Sequence, residues 1–450
     1  MTTHIPEPAT TRLDDLLTDT EVGSVFVSNY PPYSFWNESD VAAARALLDA
    51  PPAPEAVPDL GLYLHVPFCR KRCKFCYFRV YVDKNAAQIG QYLDSMAREV
   101  ELYAGSPRIA GRGLRFVYFG GGTPSYISAR HLEALAARLK AALPWDAAAE
   151  IAFECEPGTL TEAKLRAIRR IGVTRLSLGV ENMNDDILRE NGRAHTTREV
   201  FRVQPWIAAQ GFDQVNVDLI AGMVGETWET WRETVERTVD LGADSITVYQ
   251  MELPFNTVYS QSITGGGRKE MILADWRTKR EWHAFAFDRF ERAGYERSSA
   301  YTVVRKGTEQ SFVYRDALWR GSDMIGAGVA SFSHMGGIHS QNASSWEEYL
   351  GALAEDRLPL ARAFATNAGE RTTRELILQL KLAQVSTRYF AEKHGVDILD
   401  RFAAPLEVLR EEGMLTWDDA TVALTPTGLL RVDQLLPAFY DPRYRNARYT

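Results

Sequence analysis

Short apolar segments alternate with amphipathic ones from about residue 60 to residue 250 of this chain. Six apolar segments have the length of buried strands, and the segments between them space their apolar residues as amphipathic helices do. The predicted strands are Leu62–Val66, Arg115–Phe119, Glu150–Cys155, Arg175–Val180, Val215–Ala221 and Ser245–Met251. The helices predicted between them include Ala86–Leu102, Ala129–Leu143, Glu162–Ile171 and Thr227–Leu241. Strands separated by single helices predict parallel βαβ units, and hence an α/β fold. Six units favour a partial (β/α)6 barrel over an open sheet, a choice that periodicity alone does not decide.

Different patterns flank this region. Before it, aromatic residues stand in an irregular polar context and are followed by the proline-rich run Ala50–Pro58, which is typical of a stiff linker. After residue 335 the chain reads as mainly helical, with a helix, a short β-ribbon and a second helix in residues 407–430. We therefore predict an N-terminal arm and linker (1–58), a barrel domain (59–335) and a mainly helical, winged-helix-like C-terminal domain (336–450).

Composition narrows the class of protein. The 450 residues are 45% hydrophobic and 24% charged, which are ordinary globular values, and the formal net charge is −8. This charge argues against a nucleic-acid partner. The winged-helix-like segment has no basic stripe, so a packing or lid role is favoured for it. No apolar run reaches the ~18 residues that a membrane span requires. We expect a soluble, cytoplasmic protein without a membrane partner.

Three of the four cysteines, Cys69, Cys73 and Cys76, lie within eight residues in a CxxxCxxC pattern. Three thiolates can hold three irons of a 4Fe–4S cluster and leave the fourth iron open to another ligand. The alternative is a zinc site of the Cys₃His type, for which His65 is the nearest histidine in sequence. A disulfide framework fits poorly, because such frameworks belong to small secreted domains with more cysteines.

A second motif, Phe119-Gly-Gly-Gly-Thr-Pro124, directly follows a predicted strand. Its glycines let the backbone approach a ligand closely, although such a run also serves as an ordinary strand–helix turn. Together the two motifs resemble the radical S-adenosylmethionine (SAM) superfamily, in which the open iron binds SAM and the glycine run contacts its methionine part. A zinc site does not account for the second motif. In this interpretation His65 packs against the cluster loop rather than ligating metal.

Further motifs narrow the resemblance to the oxygen-independent coproporphyrinogen III oxidase family and its relatives, over roughly residues 55–440. They occur in order along the chain: Tyr63–Cys69, Glu154–Pro157, Leu176–Glu181, Asn216–Ile220 and Trp319–Gly326. The resemblance implies one cluster and two bound SAM molecules.

The resemblance also implies which residues contact SAM. Around the cluster-bound molecule they are Tyr63, Gly121 and Glu154, and around the second molecule Gly122, Thr123, Glu181, Arg193 and Asp218. Without the resemblance, Asp218 would be interpreted as a helix cap and Arg193 as a solvated surface charge. The remaining cysteine, Cys155, is expected to be a buried structural thiol.

At two positions this chain differs from the porphyrinogen-oxidising members of the family that it resembles. Phe78 stands where those members carry a further cysteine, and Glu181 stands where they carry glutamine. These departures favour a reaction in which the second SAM donates a methyl or methylene group to an sp² carbon of a small-molecule substrate. The alternatives are oxidative decarboxylation of coproporphyrinogen III and a haem chaperone. An electron donor such as flavodoxin or ferredoxin is expected as a partner.

Overall fold

A twelve-stranded sheet forms the centre of the protein, whose computed structural model describes residues 26–52, 57–252, 257–259, 273–307 and 312–445. The strands are β1 (Leu60–Val66), β2 (Leu114–Gly121), β3 (Glu150–Cys155), β4 (Arg175–Glu181), β5 (Gln214–Ala221), β6 (Ser245–Gln250), β7 (Tyr295–Arg297), β8 (Thr302–Arg305), β9 (Asp323–Ala327), β10 (Phe332–Met335), β11 (Ile338–Asn342) and β12 (Leu360–Ala365). Their order across the sheet is β12-β11-β10-β9-β1-β2-β3-β4-β5-β6-β8-β7.

The strands β1 to β6 pair in parallel in chain order, and β9 pairs in parallel with the other side of β1. All six predicted strands are therefore confirmed, and so are the α/β class and the partial barrel. The sheet also contains β7, β8 and β9 to β12, which were not predicted as strands. The predicted division at residues 335/336 falls inside this sheet, between β10 and β11.

Helices cover the sheet. Their bounds are Val41–Leu48, Ala86–Ala104, Ala129–Ala142, Glu162–Arg170, Asp185–Glu190, Thr197–Ala208, Trp228–Leu241, Trp276–Arg292, Val313–Trp319, Trp346–Ala354, Ala368–Leu380, Thr387–His394, Ile398–Arg401, Ala403–Glu411, Pro426–Leu430 and Val432–Leu435. The parallel strands are buried nearly throughout, because helices pack on them, and they consequently read as apolar runs in the sequence. Local signals set the helix ends: the side chain of Thr227 caps helix Trp228–Leu241, which ends at Gly242 with a φ of 63°.

The C-terminal part combines helices with a small sheet of β13 (Gln384–Ser386), β14 (Leu415–Trp417) and β15 (Thr421–Leu424), in the order β13-β15-β14. The predicted helix, ribbon and second helix are confirmed as Ala403–Glu411, β14 with β15, and Pro426–Leu430. This part has a hydrophobic core separate from that of the barrel. No described helix is long and apolar enough to cross a membrane.

The described part of the N-terminal arm packs into the C-terminal core. Val27 is buried there, its N–H donates to Asp433 (2.8 Å), and its carbonyl accepts from Lys381 Nζ (2.6 Å). The N–H of Phe26 donates to Glu252 at the end of β6 (2.6 Å). The arm thus joins the barrel to the C-terminal part. Residues 1–25 of the predicted arm and residues 53–56 of the predicted linker lie outside the described residues.

Candidate active site

The three clustered cysteines lie on a loop that follows β1. The N–H of Cys69 donates to the carbonyl of Tyr81 (3.1 Å), and the N–H of Tyr81 donates to the carbonyl of Pro67 (2.7 Å), so the two ends of the loop are pinned together. Cys69, Cys73 and Cys76 are free thiols, each partly exposed. Between these ends the loop presents all three thiols at the carboxyl end of the parallel strands, where the active sites of barrel enzymes lie.

Thiolate sulfurs are the ligands that a 4Fe–4S cluster requires, and three of them can each bind a different iron. Among the described residues, no three His, Cys, Asp or Glu side chains converge on one ion position. Burial raises the pKa of Cys69 to about 11 and that of Cys76 to about 12, so metal binding displaces protons from them.

His65 does not act as a fourth ligand in this geometry. Its Nε2 donates to the carbonyl of Arg79 (3.2 Å), and its Nδ1 lies 3.5 Å from the hydroxyl of Tyr63. Burial lowers the pKa of His65 to about 4, so the ring is neutral. Cys155 is buried at the end of β3, and burial raises its pKa.

The glycine motif packs directly against the cysteine loop. The N–H of Gly122 donates to the carbonyl of Val66 (2.9 Å), and a Cβ at Gly122 would lie 2.9 Å from that same oxygen. The hydroxyl of Thr123 donates to Cys69 Sγ (3.4 Å). Gly121 has a φ of 107°, which favours glycine, and its N–H donates to Glu154 (3.2 Å). The structure therefore brings the two sequence motifs together at one site.

A stack of aromatic rings lines the barrel beside this motif. The Tyr63 ring lies 5.8 Å from that of Tyr118, which lies 4.2 Å from that of Tyr314. The hydroxyl of Tyr118 donates to Glu154 (2.7 Å), and burial raises the pKa of Glu154 to about 7. Tyr63 and Glu154 were predicted site residues. Tyr118 on β2 was missed, and its contacts with Tyr63, Tyr314 and Glu154 place it in the site.

Three predicted carboxylates share the barrel lumen: Glu154, Glu181 and Asp218. Asp218 accepts hydrogen bonds from Ser177 (2.7 Å) and Asn216 (2.9 Å), so it is not a helix cap. Burial raises the pKa of Glu181 to about 7 and also raises that of Asp218. A concentration of carboxylates in a partly enclosed lumen suits a cationic ligand, such as a sulfonium compound with an ammonium group.

Arg193 reaches into this site and is not a solvated surface charge. Its Nη1 donates to Cys73 Sγ (3.4 Å), and its Nη2 donates to the carbonyl of Gly179 (2.7 Å) and lies 3.4 Å from Glu181 Oε1. Glu181 has a φ of 64°, which is unusual for a residue other than glycine, and it directly follows the buried part of β4. The guanidinium therefore links the cysteine loop to the carboxylates.

Residues that were not among the predicted site residues hold the cysteine loop by polar contacts. Arg70 donates to both oxygens of Glu156 (3.0 and 3.1 Å), and His195 Nδ1 lies 3.2 Å from the same carboxylate. Burial alone would raise the pKa of the Glu156 carboxyl. Hydrogen bonds from His195 and Arg70 outweigh this effect and lower that pKa to about 2. The N–H of Lys74 donates to the carbonyl of Asn191 (3.0 Å). These contacts fix the loop against β3 and the segment after β4.

Two family models match the chain. The model of the radical SAM superfamily matches residues 63–238, and that of the HemN C-terminal domain matches residues 367–431. The chain belongs to the HemN-like radical SAM family. It is accordingly a radical SAM enzyme, and this family implies a 4Fe–4S cluster and SAM as cofactors. The described cysteine loop and glycine motif lie within the first match.

Individual relatives cover most of the chain. It is 27% identical to the heme chaperone HemW of Bacillus subtilis over 379 residues, which are 84% of this chain and 98% of the chaperone. It is 26% identical to the oxygen-independent coproporphyrinogen III oxidase of Synechocystis over 448 residues, 94% of each chain. The structure of the Escherichia coli coproporphyrinogen III oxidase HemN has the same fold, with a TM-score of 0.79, 24% identity and coverage of 92% of this chain and 96% of that one.

Proposed function

We propose that this protein oxidises a porphyrinogen by radical SAM chemistry, as an oxygen-independent coproporphyrinogen III oxidase. The observation that carries the proposal is the extent of the match to the Synechocystis oxidase, which leaves 6% of this chain uncovered. The match to the chaperone leaves 16% uncovered although it includes nearly the whole chaperone. The packing of Val27 and Phe26 against the C-terminal part and β6 supports an arm that is integral to the enzyme.

The proposed reaction removes carbon dioxide from propionate side chains. Cys69, Cys73 and Cys76 would hold the cluster, which would supply the electron that reductive cleavage of SAM requires. The propionate of the substrate would lose a hydrogen atom and carbon dioxide, and an electron acceptor would take the remaining electron as the vinyl group forms. This chain contributes a lumen that positions SAM and excludes water from the radical.

Within this proposal the lumen residues divide between two SAM molecules. The resemblance assigns Tyr63, Gly121 and Glu154 to the cluster-bound molecule, and all three lie beside the glycine motif and the cysteine loop. The residues proposed around a second molecule are Gly122, Thr123, Glu181, Arg193 and Asp218. The carboxylates support the second site, because the sulfonium and ammonium groups of SAM are cations.

A second candidate function is the alkyl transfer that Phe78 and Glu181 favour in the sequence. Glu181 lies in the lumen with Glu154 and Asp218, which a substrate carrying several carboxylates would have to approach. None of the relatives described above is named as a methyltransferase or cyclopropanase, so this reaction ranks behind porphyrinogen oxidation.

One assay separates these functions. Anaerobically reconstituted protein is given a reductant, methyl-deuterated SAM and coproporphyrinogen III. We expect decarboxylated porphyrinogen, methionine and 5′-deoxyadenosine free of deuterium. Deuterated 5′-deoxyadenosine together with S-adenosylhomocysteine would instead establish alkyl transfer. Stoichiometric haem binding without decarboxylation would establish a chaperone.

A further inference from the structure

The segment that carries the cluster ligands is strongly cationic in a protein that is acidic overall. Residues 70–79 contain five arginines and lysines and no aspartate or glutamate, whereas the whole chain has a net charge of −8. We call Arg70, Lys71, Arg72 and Lys74 the cationic ridge. Because its charge opposes that of the protein as a whole, the ridge is a local positive feature on an otherwise acidic molecule.

Half of the ridge is neutralised by neighbouring carboxylates and half is not. Arg70 pairs with Glu156 (3.0 Å) and Lys74 with Glu190 (3.3 Å). Lys71 and Arg72 are both exposed, and neither pairs with a carboxylate among the residues that the structure describes. Arg72 instead donates to the carbonyl of Cys76 (3.3 Å). The ridge therefore presents net positive charge to solvent at Lys71 and Arg72.

The ridge lies between cluster ligands and is exposed to solvent at Lys71 and Arg72. The thiols of Cys69 and Cys73 contact Thr123 and Arg193, which belong to the lumen side. Lys71 and Arg72 stand between these two cysteines in the chain and are exposed. A protein bound to the ridge would consequently sit one short loop away from the cluster.

We infer that the cationic ridge is the docking surface for an acidic one-electron carrier protein of the flavodoxin type. Complementary charge steers such a carrier to the ridge and orients it, and salt weakens the attraction. The step transfers one electron: the carrier is oxidised by one electron and the cluster is reduced by one, with no bond made or broken in either protein. The inference rests on the cluster and is independent of the organic substrate.

The test compares two doubly charge-reversed variants with the wild-type holoprotein. Lys71→Glu/Arg72→Glu reverses the ridge, and Arg357→Glu/Arg388→Glu reverses two exposed arginines elsewhere and changes the net charge equally. The probe is a bacterial flavodoxin. Its affinity is measured at low and high ionic strength, and the rate of cluster reduction is followed by the loss of cluster absorbance after mixing with reduced flavodoxin or with dithionite.

We expect the ridge variant to lose at least about tenfold in flavodoxin affinity and reduction rate at low salt, and to lose most of the salt dependence. Its reduction by dithionite and its iron content should match the wild type, and the control variant should behave as the wild type with both reductants. Unchanged flavodoxin binding by the ridge variant would overturn the inference. Equal losses in the control variant, or slower reduction by dithionite in the ridge variant, would also overturn it. Lys71→Ala, whose side chain has no described hydrogen bond, should show a smaller loss of the same kind.

Discussion

Arg193 donates a hydrogen bond to Cys73 Sγ at 3.4 Å while it lies 3.4 Å from Glu181. This contact joins a cluster ligand to a residue proposed to bind the second SAM. A donor to a thiolate stabilises the reduced, more negative state of an iron–sulfur cluster. Arg193 is thus positioned to influence both the potential of the cluster and the charge in the lumen.

Arg193→Ala should lower the midpoint potential of the cluster. If the lost hydrogen bond favours the reduced state by about 1.4 kcal/mol, the shift is about 60 mV for one electron. The measurement is a redox titration followed by electron paramagnetic resonance. Arg198→Ala, on the exposed face of the next helix, is the control and should leave the potential unchanged. A potential equal to that of the wild type in Arg193→Ala would show that the contact does not act on the cluster.

Replacing Cys69, Cys73 and Cys76 together by alanine should abolish cluster assembly, because no other described cysteine lies in the loop. Cys155→Ala is the matched control, since this buried thiol lies on β3 and should leave about four irons and four sulfides per chain. Iron and sulfide analysis after anaerobic reconstitution measures both. Tight stoichiometric zinc without an iron–sulfur spectrum in the wild type would contradict the assignment, as would loss of iron from folded Cys155→Ala.

Gly122→Ala should destabilise the protein and weaken SAM binding. The added Cβ would lie 2.9 Å from the carbonyl oxygen of Val66, which is backbone and cannot rotate away. Overpacking of this kind costs about 1–3 kcal/mol in the free energy of unfolding. Gly113→Ala is the control, because its Cβ would meet nothing within 4 Å. Denaturant unfolding and SAM titration measure the two effects, and equal behaviour of the two variants would rule out the close approach.

The sequence predicted the parallel strands well because each is a buried, apolar run with a clear helix on either side. It did not predict β9 next to β1, since pairing between Asp323–Ala327 and Leu60–Leu64 depends on chain folding over more than 250 residues. Tyr314 was missed for a similar reason: it reaches the ring stack from helix Val313–Trp319 and carries no local motif. The motif residues were found because their chemistry requires fixed spacing.

Glu99 should make the free energy of unfolding depend on pH. This buried carboxylate accepts from Gly328 N–H, Asn342 and Tyr349, yet burial raises its pKa to about 7 from an ordinary 4.5. Between pH 4.5 and pH 7 the Glu99 carboxyl is ionised in the unfolded chain and protonated in the folded chain. The free energy of unfolding therefore falls as the pH rises, by about 1.4 kcal/mol per pH unit at most. Above pH 7 this contribution levels off.

The measurement is denaturant unfolding between pH 5 and pH 8. Glu99→Gln removes the ionisable group, so its stability should fall less steeply with pH than that of the wild type, whatever its absolute stability. Glu101→Gln, on the same helix and partly exposed, should keep the wild-type slope. A Glu99→Gln variant that retained the full slope would assign the dependence to other groups.

Glu181→Gln should raise turnover of coproporphyrinogen III if the protein is an oxidase. The change removes one of three carboxylates that share the lumen, and an amide neither repels the propionates of the substrate nor requires Arg193 as a counter-charge. We expect kcat/KM to rise several-fold at pH 8, where a carboxyl with a pKa of about 7 is ionised. The gain in kcat/KM should shrink at pH 6, because Glu181 is then largely protonated.

The control is Glu162→Gln, on the exposed surface of helix Glu162–Arg170, which should leave kcat/KM unchanged at both pH values. A Glu181→Gln variant that lost cleavage of SAM while keeping its cluster would instead show that SAM binding requires the carboxylate at this position and that an amide does not replace it.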